Sequence, residues 1–386
     1  MRHHNSVFHQ IQKHVPWGVF DRLVDEHKAD YRVRRLTTKS QFLALLFGQL
    51  SGAVSLREIE AGLSSQQSRL YHVGGRSVAR TTLAEANASR PSAVYSGLFA
   101  HIAASASRST RRHIKDAVRI LDATRIELSS LRSGWADMVS SHRAIKLHLC
   151  FDPQAQAPLG ATVTGQKTND ITPAKAHLNG AGPIEPGMTY VFDLAYYDFG
   201  WWAQLHAKGC RFVTRLKSHT RLEAAVGQAL PEGNGAFLAD RIGLLPQRMA
   251  GSRRNPMADP VREIEVRIST GRTIRILTND LDAPAAEIAD LYKQRWQIEL
   301  FFKWIKQNLK IRHFLGTSEN AVRIQIFVAL IAYLLLRLAQ ACQDAIPQPL
   351  AFTRLVRLNL MHRRPITALR QPERRPSAHQ DQMVLI

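Results

Sequence analysis

The sequence predicts an α/β protein in which a small helical front leads into a mixed sheet, interrupted by a β-rich insertion and closed by long helices. Three observations carry that prediction. In the first third, apolar residues such as Phe8, Ile11 and Val15 recur at three- and four-residue spacings, the period of a helix. From residue 117 the pattern shortens to strand-like runs, among them AVRILDATRIEL, IKLHLCF and PLGATVTG. Near residue 284 it returns to helical spacing and keeps it through the apolar run 326–336. A chain of 386 residues, 45% hydrophobic and 22% charged, is long enough for two or three domains with a sizeable core.

Residues 1–75 read as a helical domain. Phe20, Leu23 and Val24 continue the spacing, and Thr37-Thr38-Lys39-Ser40 precedes the apolar run 42–50 as a helix start should. SLREIEAGL at 55–63 is another short amphipathic helix. Short helices and tight turns in a basic segment suggest a helix-turn-helix type of module, so DNA contact is expected here. Residues 76–116 read as a helical connector, with Thr82 and Glu85 at capping-box spacing. Residues 117–217 form the first part of the core. Runs 117–128, 145–151 and 158–165 suit an antiparallel meander, 190–193 is a fourth strand, and a helix at 199–208 leads through Gly209 to a fifth at 211–217. One more helix is expected between Asn169 and His177.

Residues 218–283 read as the β-rich insertion. VREIEVRI at 261–268 and the run 272–277 alternate on either side of Ser269-Thr270-Gly271, as a hairpin does, while 246–260 lacks periodicity and reads as a loop. Residues 284–345 supply two long helices. Residues 346–386 read as a basic tail, with seven arginines from 352 onward and little core-forming capacity.

Lys and Arg outnumber Asp and Glu by 52 to 31, for a net charge of +21. Such a surface favours a polyanion, and nucleic acid is the expected partner. Residues 1–120 alone carry 18 basic and 8 acidic side chains. Cys150, Cys210 and Cys342 are too few and too scattered for a disulfide framework or a zinc pair, which points to reducing cytosol. Met1-Arg-His-His leads into polar sequence rather than an apolar signal. The run 326–336 is short of the roughly 20 residues that a membrane span needs, so it reads as a buried helix and no membrane partner is expected.

The stretch LYKQRWQIELFFKWIKQNLK at 291–310 holds Tyr292, Arg295, Glu299 and Lys306. At about 100° per residue these four share an arc of roughly 60° on one helical face. Leu291, Ile298, Phe302, Ile305 and Leu309 form an apolar stripe beside them, suited to docking on a core. Lys303 and Lys310 fall near the charged face and extend a basic track. Glu299 with Lys303 also reads as an ordinary surface pair, worth about 0.2 to 0.5 kcal/mol, so the helix by itself leaves both readings open.

The four positions match, in letter and spacing, the Y-(2)-R-(3)-E-(6)-K signature, and through it residues 117–335 resemble the IS4 group of bacterial insertion-sequence transposases. The resemblance implies an RNase H-like core, with which the order β-β-β-α-β-α-β is compatible. It also implies a DDE triad with two aspartates upstream, each at the end of a strand. Asp122 in RILDATRIEL and Asp193 closing YVFD fill those places, with Asp152, Asp170 and Asp198 as nearby competitors. A carboxylate on a strand buried on one side is costly unless paired or bound to metal. Asp122, Asp193 and Glu299 form an oxygen-only set suited to Mg²⁺ or Mn²⁺, two of which can clamp an in-line phosphoryl displacement.

By matching position, the resemblance assigns DNA contact to Tyr292, Arg295 and Lys306. It implies cleavage of phosphodiesters at the ends of an insertion sequence, joining of the 3′-hydroxyls to target DNA, and a homodimer on paired ends. A nuclease without strand transfer and a decayed DNA-binding copy are the alternatives. Two departures stand out. Leu194 follows Asp193 where relatives often carry Arg or Lys, and residues 218–283 contain no Trp, which leaves Trp201, Trp202 and Trp296 as stacking surfaces or core.

Overall fold

Helical spacing in the first third folds into α1 (Val7–Gln12), α2 (Trp17–Glu26), α3 (Thr38–Ser51), α4 (Leu56–Ser64), α5 (Gln67–Leu70), α6 (Arg80–Ser89) and α7 (Ala93–Arg111). Thr37 caps α3 as expected, its Oγ1 accepting from the Ser40 amide at 3.2 Å. By contrast α6 starts at Arg80 after Ala79, so Thr82 lies inside the first turn and closes no capping box. The structure, a computed structural model, describes residues 5–111, 117–128, 135–139, 142–176, 184–231, 235–248, 254–309, 311 and 314–371.

The sheet begins with β1 (Val118–Glu127), which runs antiparallel to β3 (His142–Asp152). β3 also pairs with the short β2 (Asp137–Val139) and with β4 (Ala157–Gly165). On its other side β1 lies parallel to β5 (Thr189–Val191), and β5 lies parallel to β6 (Arg211–Arg215). The core order β4-β3-β1-β5-β6, three antiparallel strands followed by two parallel ones, is the RNase H-like arrangement. Parallel neighbours need crossovers. The short α8 (Ile171–Lys175) lies on the first, and α9 (Phe199–Ala207) makes the second. Gly209, at φ +67°, turns the chain from α9 into β6.

The insertion extends this sheet. β7 (Glu223–Gly227), β8 (Phe237–Leu244), β9 (Val261–Arg267) and β10 (Thr273–Thr278) pair in sequence order, and β10 adds antiparallel to β6. Gly271, at φ +80°, sits in the expected β9–β10 hairpin turn. β7, exposed throughout, and β8, partly buried without strict alternation, carry little strand signal in the sequence. After them come α10 (Ala285–Gln294), α11 (Trp296–Asn308), α12 (Glu319–Ala341) and α13 (Pro349–Asn359).

Two apolar layers sandwich the core strands. On one face Phe192, Trp201, Trp202 and Phe212 stack under α9. On the other, Ile120, Val191 and Val213 face the layer that holds α11 and α12. α12 is long and apolar enough to cross a membrane by length and composition, yet 83% of its apolar window is buried. A helix that is apolar all round must be covered all round, and α3, α6, α7 and β4 all pack against it.

The buried side chains of residues 1–75 join the same core cluster as α12. One expectation is corrected. Residues 349–369 of the expected basic tail are folded. Phe352, Val356 and Leu360 make one buried stripe at four-residue spacing, and α1 is tied to this segment by Phe8 N–H donating to Leu360 O at 2.7 Å. That stripe outweighs the arginines between its members. The rest of the tail, from 372, lies outside the described residues.

Candidate active site

Strand register builds the floor of the site. Ile120 pairs with Val191, and Val191 with Val213, across the three parallel strands. All three side chains lie in the same apolar cluster. Asp122, Asp193 and Arg215 each follow two residues later, the step that restores the same face of an extended chain, which directs the three as one row beyond the last registered pairs. Thr214 anchors the middle of the row by donating from Oγ1 to Asp193 O at 3.5 Å. Asp193 lies just past the end of β5 and accepts from the Ala195 amide at 2.8 Å. Asp122, expected at a strand end, is in the middle of β1. Pairing with β3 continues to Glu127 while pairing with β5 stops at Ile120, so the strand ends only with respect to β5.

The roof is the helix with the four-residue signature, and it is broken where the sequence suggests continuity. Arg295 separates α10 from α11 through a tight turn, its amide donating to Tyr292 O at 3.1 Å and its carbonyl accepting from Ile298 N–H at 3.2 Å. Its guanidinium reaches down between two carboxylates. Nη1 stands 3.4 Å from Asp122 Oδ2, and Nη2 stands 2.6 Å from Glu299 Oε1. The Tyr292 ring lies 5.9 Å from the same guanidinium. Lys306 Nζ donates to Thr124 Oγ1 at 2.6 Å, on the same face of β1 as Asp122. The structure thus brings Asp122, Tyr292, Arg295, Glu299 and Lys306 to one place and sets Asp193 beside them. Lys303 is exposed on α11, and Lys310 lies outside the described residues.

Burial, reinforced by the nearby Asp193 and Glu299 carboxylates, pushes the Asp122 carboxyl up to about 7, against the opposing pull of the Ala123 amide and Arg295. An unfolded Asp ionises near 3.8. Between those values the unfolded chain has released a proton that the folded chain retains, so stability falls as pH rises through the window. Asp122→Asn removes this cost. Its melting temperature should exceed the parent's at about pH 8, by a free energy on the order of 4 kcal/mol or less, and match it near pH 4. Equal melting curves at both pH values would show that Asp122 is not a destabilised carboxylate.

Three carboxylates are the donor set of a hard divalent cation. Among the described residues no group of three His, Cys, Asp or Glu side chains converges closely enough to hold a metal. In this arrangement the place between Asp122 and Glu299 is taken by the Arg295 guanidinium, a cation. The competing aspartates are engaged elsewhere. Asp152 is buried against Arg119 at 3.3 Å, Asp170 pairs with Lys146 at 2.8 Å, and Asp198 caps α9 and pairs with Lys175.

Arg215 was not singled out in the sequence. Its Nε is buried without a partner, and its charge acts on Tyr292. Only the sheet register reveals it, as the third member of the Asp122–Asp193 row. Trp201 and Trp202 are core residues, 1% and 0% exposed, which removes them as stacking surfaces; Trp296, at 57%, remains exposed at the start of α11.

A family profile described as "Transposase DDE domain" matches residues 113–335, and a domain of unknown function matches residues 3–76. The chain is similar to a putative transposase, y4zB, of Sinorhizobium fredii, with 40% identity over 309 residues, 78% of this chain and 84% of the relative. It is also similar to a probable transposase for insertion sequence element IS5377 of Geobacillus stearothermophilus, with 31% identity over 62% of each chain. Among solved structures, a cryo-EM piggyBac transposase synaptic complex with hairpin DNA aligns with 97% of this chain and 83% of its own, at a TM-score of 0.46 and 10% identity.

Proposed function

The chain belongs to the family of transposase DDE domains, metal-dependent enzymes that cut and join DNA, and we propose that Asp122, Asp193 and Glu299 are the carboxylates with which it does so at the ends of an insertion sequence. One observation carries this reading. Asp122 and Asp193 each lie two residues beyond Ile120↔Val191, the last registered pair of the parallel strands β1 and β5, and Glu299 shares with Asp122 a cation held between them. When bound, two Mg²⁺ or Mn²⁺ ions lower the pKa of an attacking water or 3′-hydroxyl and stabilise the leaving oxygen.

The chain's own residues hold, aim and release. Asp122 must lose its proton to serve as a ligand. Arg295 leaves the carboxylates and takes a DNA phosphate with its planar fork. Tyr292 supports the guanidinium from the side. Lys306 lies about 10.5 Å along the helix axis from Glu299 and holds a neighbouring phosphate as a point charge. Lys303, exposed on α11, adds to that track, residues 1–75 contact DNA further out, and two copies assemble on paired ends.

The test is a joining assay with the full chain, Mg²⁺, supercoiled plasmid and a labelled duplex that carries the DNA flanking the gene and ends in a free 3′-hydroxyl. Covalent transfer of label to plasmid is the expected result. Cleavage without any transfer would replace this reading with that of a nuclease.

A further inference from the structure

Past the row of carboxylates, the same edge of the sheet continues into a second basic surface. We propose that the groove between the β5–α9 loop, the exit of β6 and the insertion is a channel for the phosphodiester backbone of DNA; the proposal rests on the reading that this enzyme acts on DNA. A cavity of about 410 Å³ is lined by Tyr197 and Phe199 together with Lys217, His219, Arg221 and Arg248. A neighbouring cavity of about 500 Å³ shares Arg248 and adds Arg254. Tyr197 lies four residues beyond Asp193, and Lys217 two beyond Arg215, so the chain leads from both positions into the channel lining.

The fold holds Lys217 in place before any ligand arrives. Lys217 Nζ stands 4.3 Å from the centre of the Tyr197 ring, and Tyr197 Oη lies 2.8 Å from Thr220 Oγ1. Arg275 Nη1 donates to the carbonyls of Lys217 and Ser218 at 2.9 and 3.1 Å, which pins the loop. Arg248 and Arg254 face each other across an antiparallel bridge. Like charges placed directly opposite destabilise a strand pair, and an anion between them relieves the repulsion. Cations repeated along two cavities that share Arg248 suit a ligand whose own charges repeat, as a nucleic acid backbone's do. That backbone belongs either to the element's end or to the target.

The test is the double variant Arg221→Glu, Arg248→Glu. Both side chains are exposed, and a melting temperature equal to the parent's would confirm that the variant folds. Fluorescence anisotropy is read over a range of salt with two labelled duplexes, one carrying the gene's flanking DNA and one unrelated. Affinity should fall, and the slope of log K against log salt should shrink by about two units. A change with the flanking duplex alone assigns the channel to the element's end. A change with both, or with the unrelated duplex alone, assigns it to backbone of any sequence, as on a target. Unchanged affinity and slope with both duplexes would overturn the proposal. Asp122→Asn is run on the same probes: metal-dependent cleavage retained in that variant would remove the proposed triad while leaving the channel standing.

Discussion

Asp122→Asn, Asp193→Asn and Glu299→Gln should each reduce metal-dependent DNA cleavage by about three orders of magnitude or more, with end-DNA affinity nearly unchanged. Each substitution keeps the shape of the side chain and removes the charge that a divalent ion requires. The tertiary placement of the three groups makes the expected pattern specific. Asp122 is 16% exposed and surrounded by like charge, so the Asn variant should be at least as stable as the parent above neutral pH. Lost cleavage together with retained or raised stability separates chemistry from misfolding. If any of the three variants still cleaves with added Mg²⁺, that residue is not a ligand.

Arg295→Ala should have two opposite effects. DNA binding should weaken and its salt slope should fall by about one unit, as expected for one lost phosphate contact. In the absence of DNA, affinity for Mn²⁺ should rise by about tenfold, because the guanidinium that stands 2.6 Å from Glu299 and 3.4 Å from Asp122 no longer competes for the carboxylates. Titration calorimetry with Mn²⁺ measures the second effect without any catalytic turnover. Unchanged Mn²⁺ affinity would mean that Arg295 and the metal do not share a place, and an unchanged salt slope would mean that Arg295 touches no phosphate.

Much of this was legible in the sequence, because the relevant signals are local. The strands 117–128, 145–151 and 158–165, the hairpin around Gly271 and the helical face of Tyr292, Glu299 and Lys306 all follow from side-chain period and turn chemistry. Other features depend on partners distant in the chain. The 349–369 segment reads as an arginine-rich tail until Phe352, Val356 and Leu360 find the helices of the first third. The packing of the front helices on α12, which is apolar on every side, is likewise a contact between distant segments. β7, exposed throughout, and β8, partly buried, are strands whose sequence lacks a strict alternation. The break at Arg295 leaves no mark in the periodicity, since residues on either side keep their helical faces.

The sequence by itself determined which residue types are available for chemistry and on which face of its own element each one lies: Asp122 with Ile120 and Thr124 on a strand, and Arg295 with Glu299 and Lys306 on a helix. Only the tertiary structure decided what each faces across the gap. The pairing of Ile120 with Val191 and of Val191 with Val213 set Asp122, Asp193 and Arg215 in one row, and the docking of α11 lowered Arg295 between Asp122 and Glu299. The physical reason is that periodicity is a property of one chain segment, whereas register and the distance between charges are properties of two segments packed together.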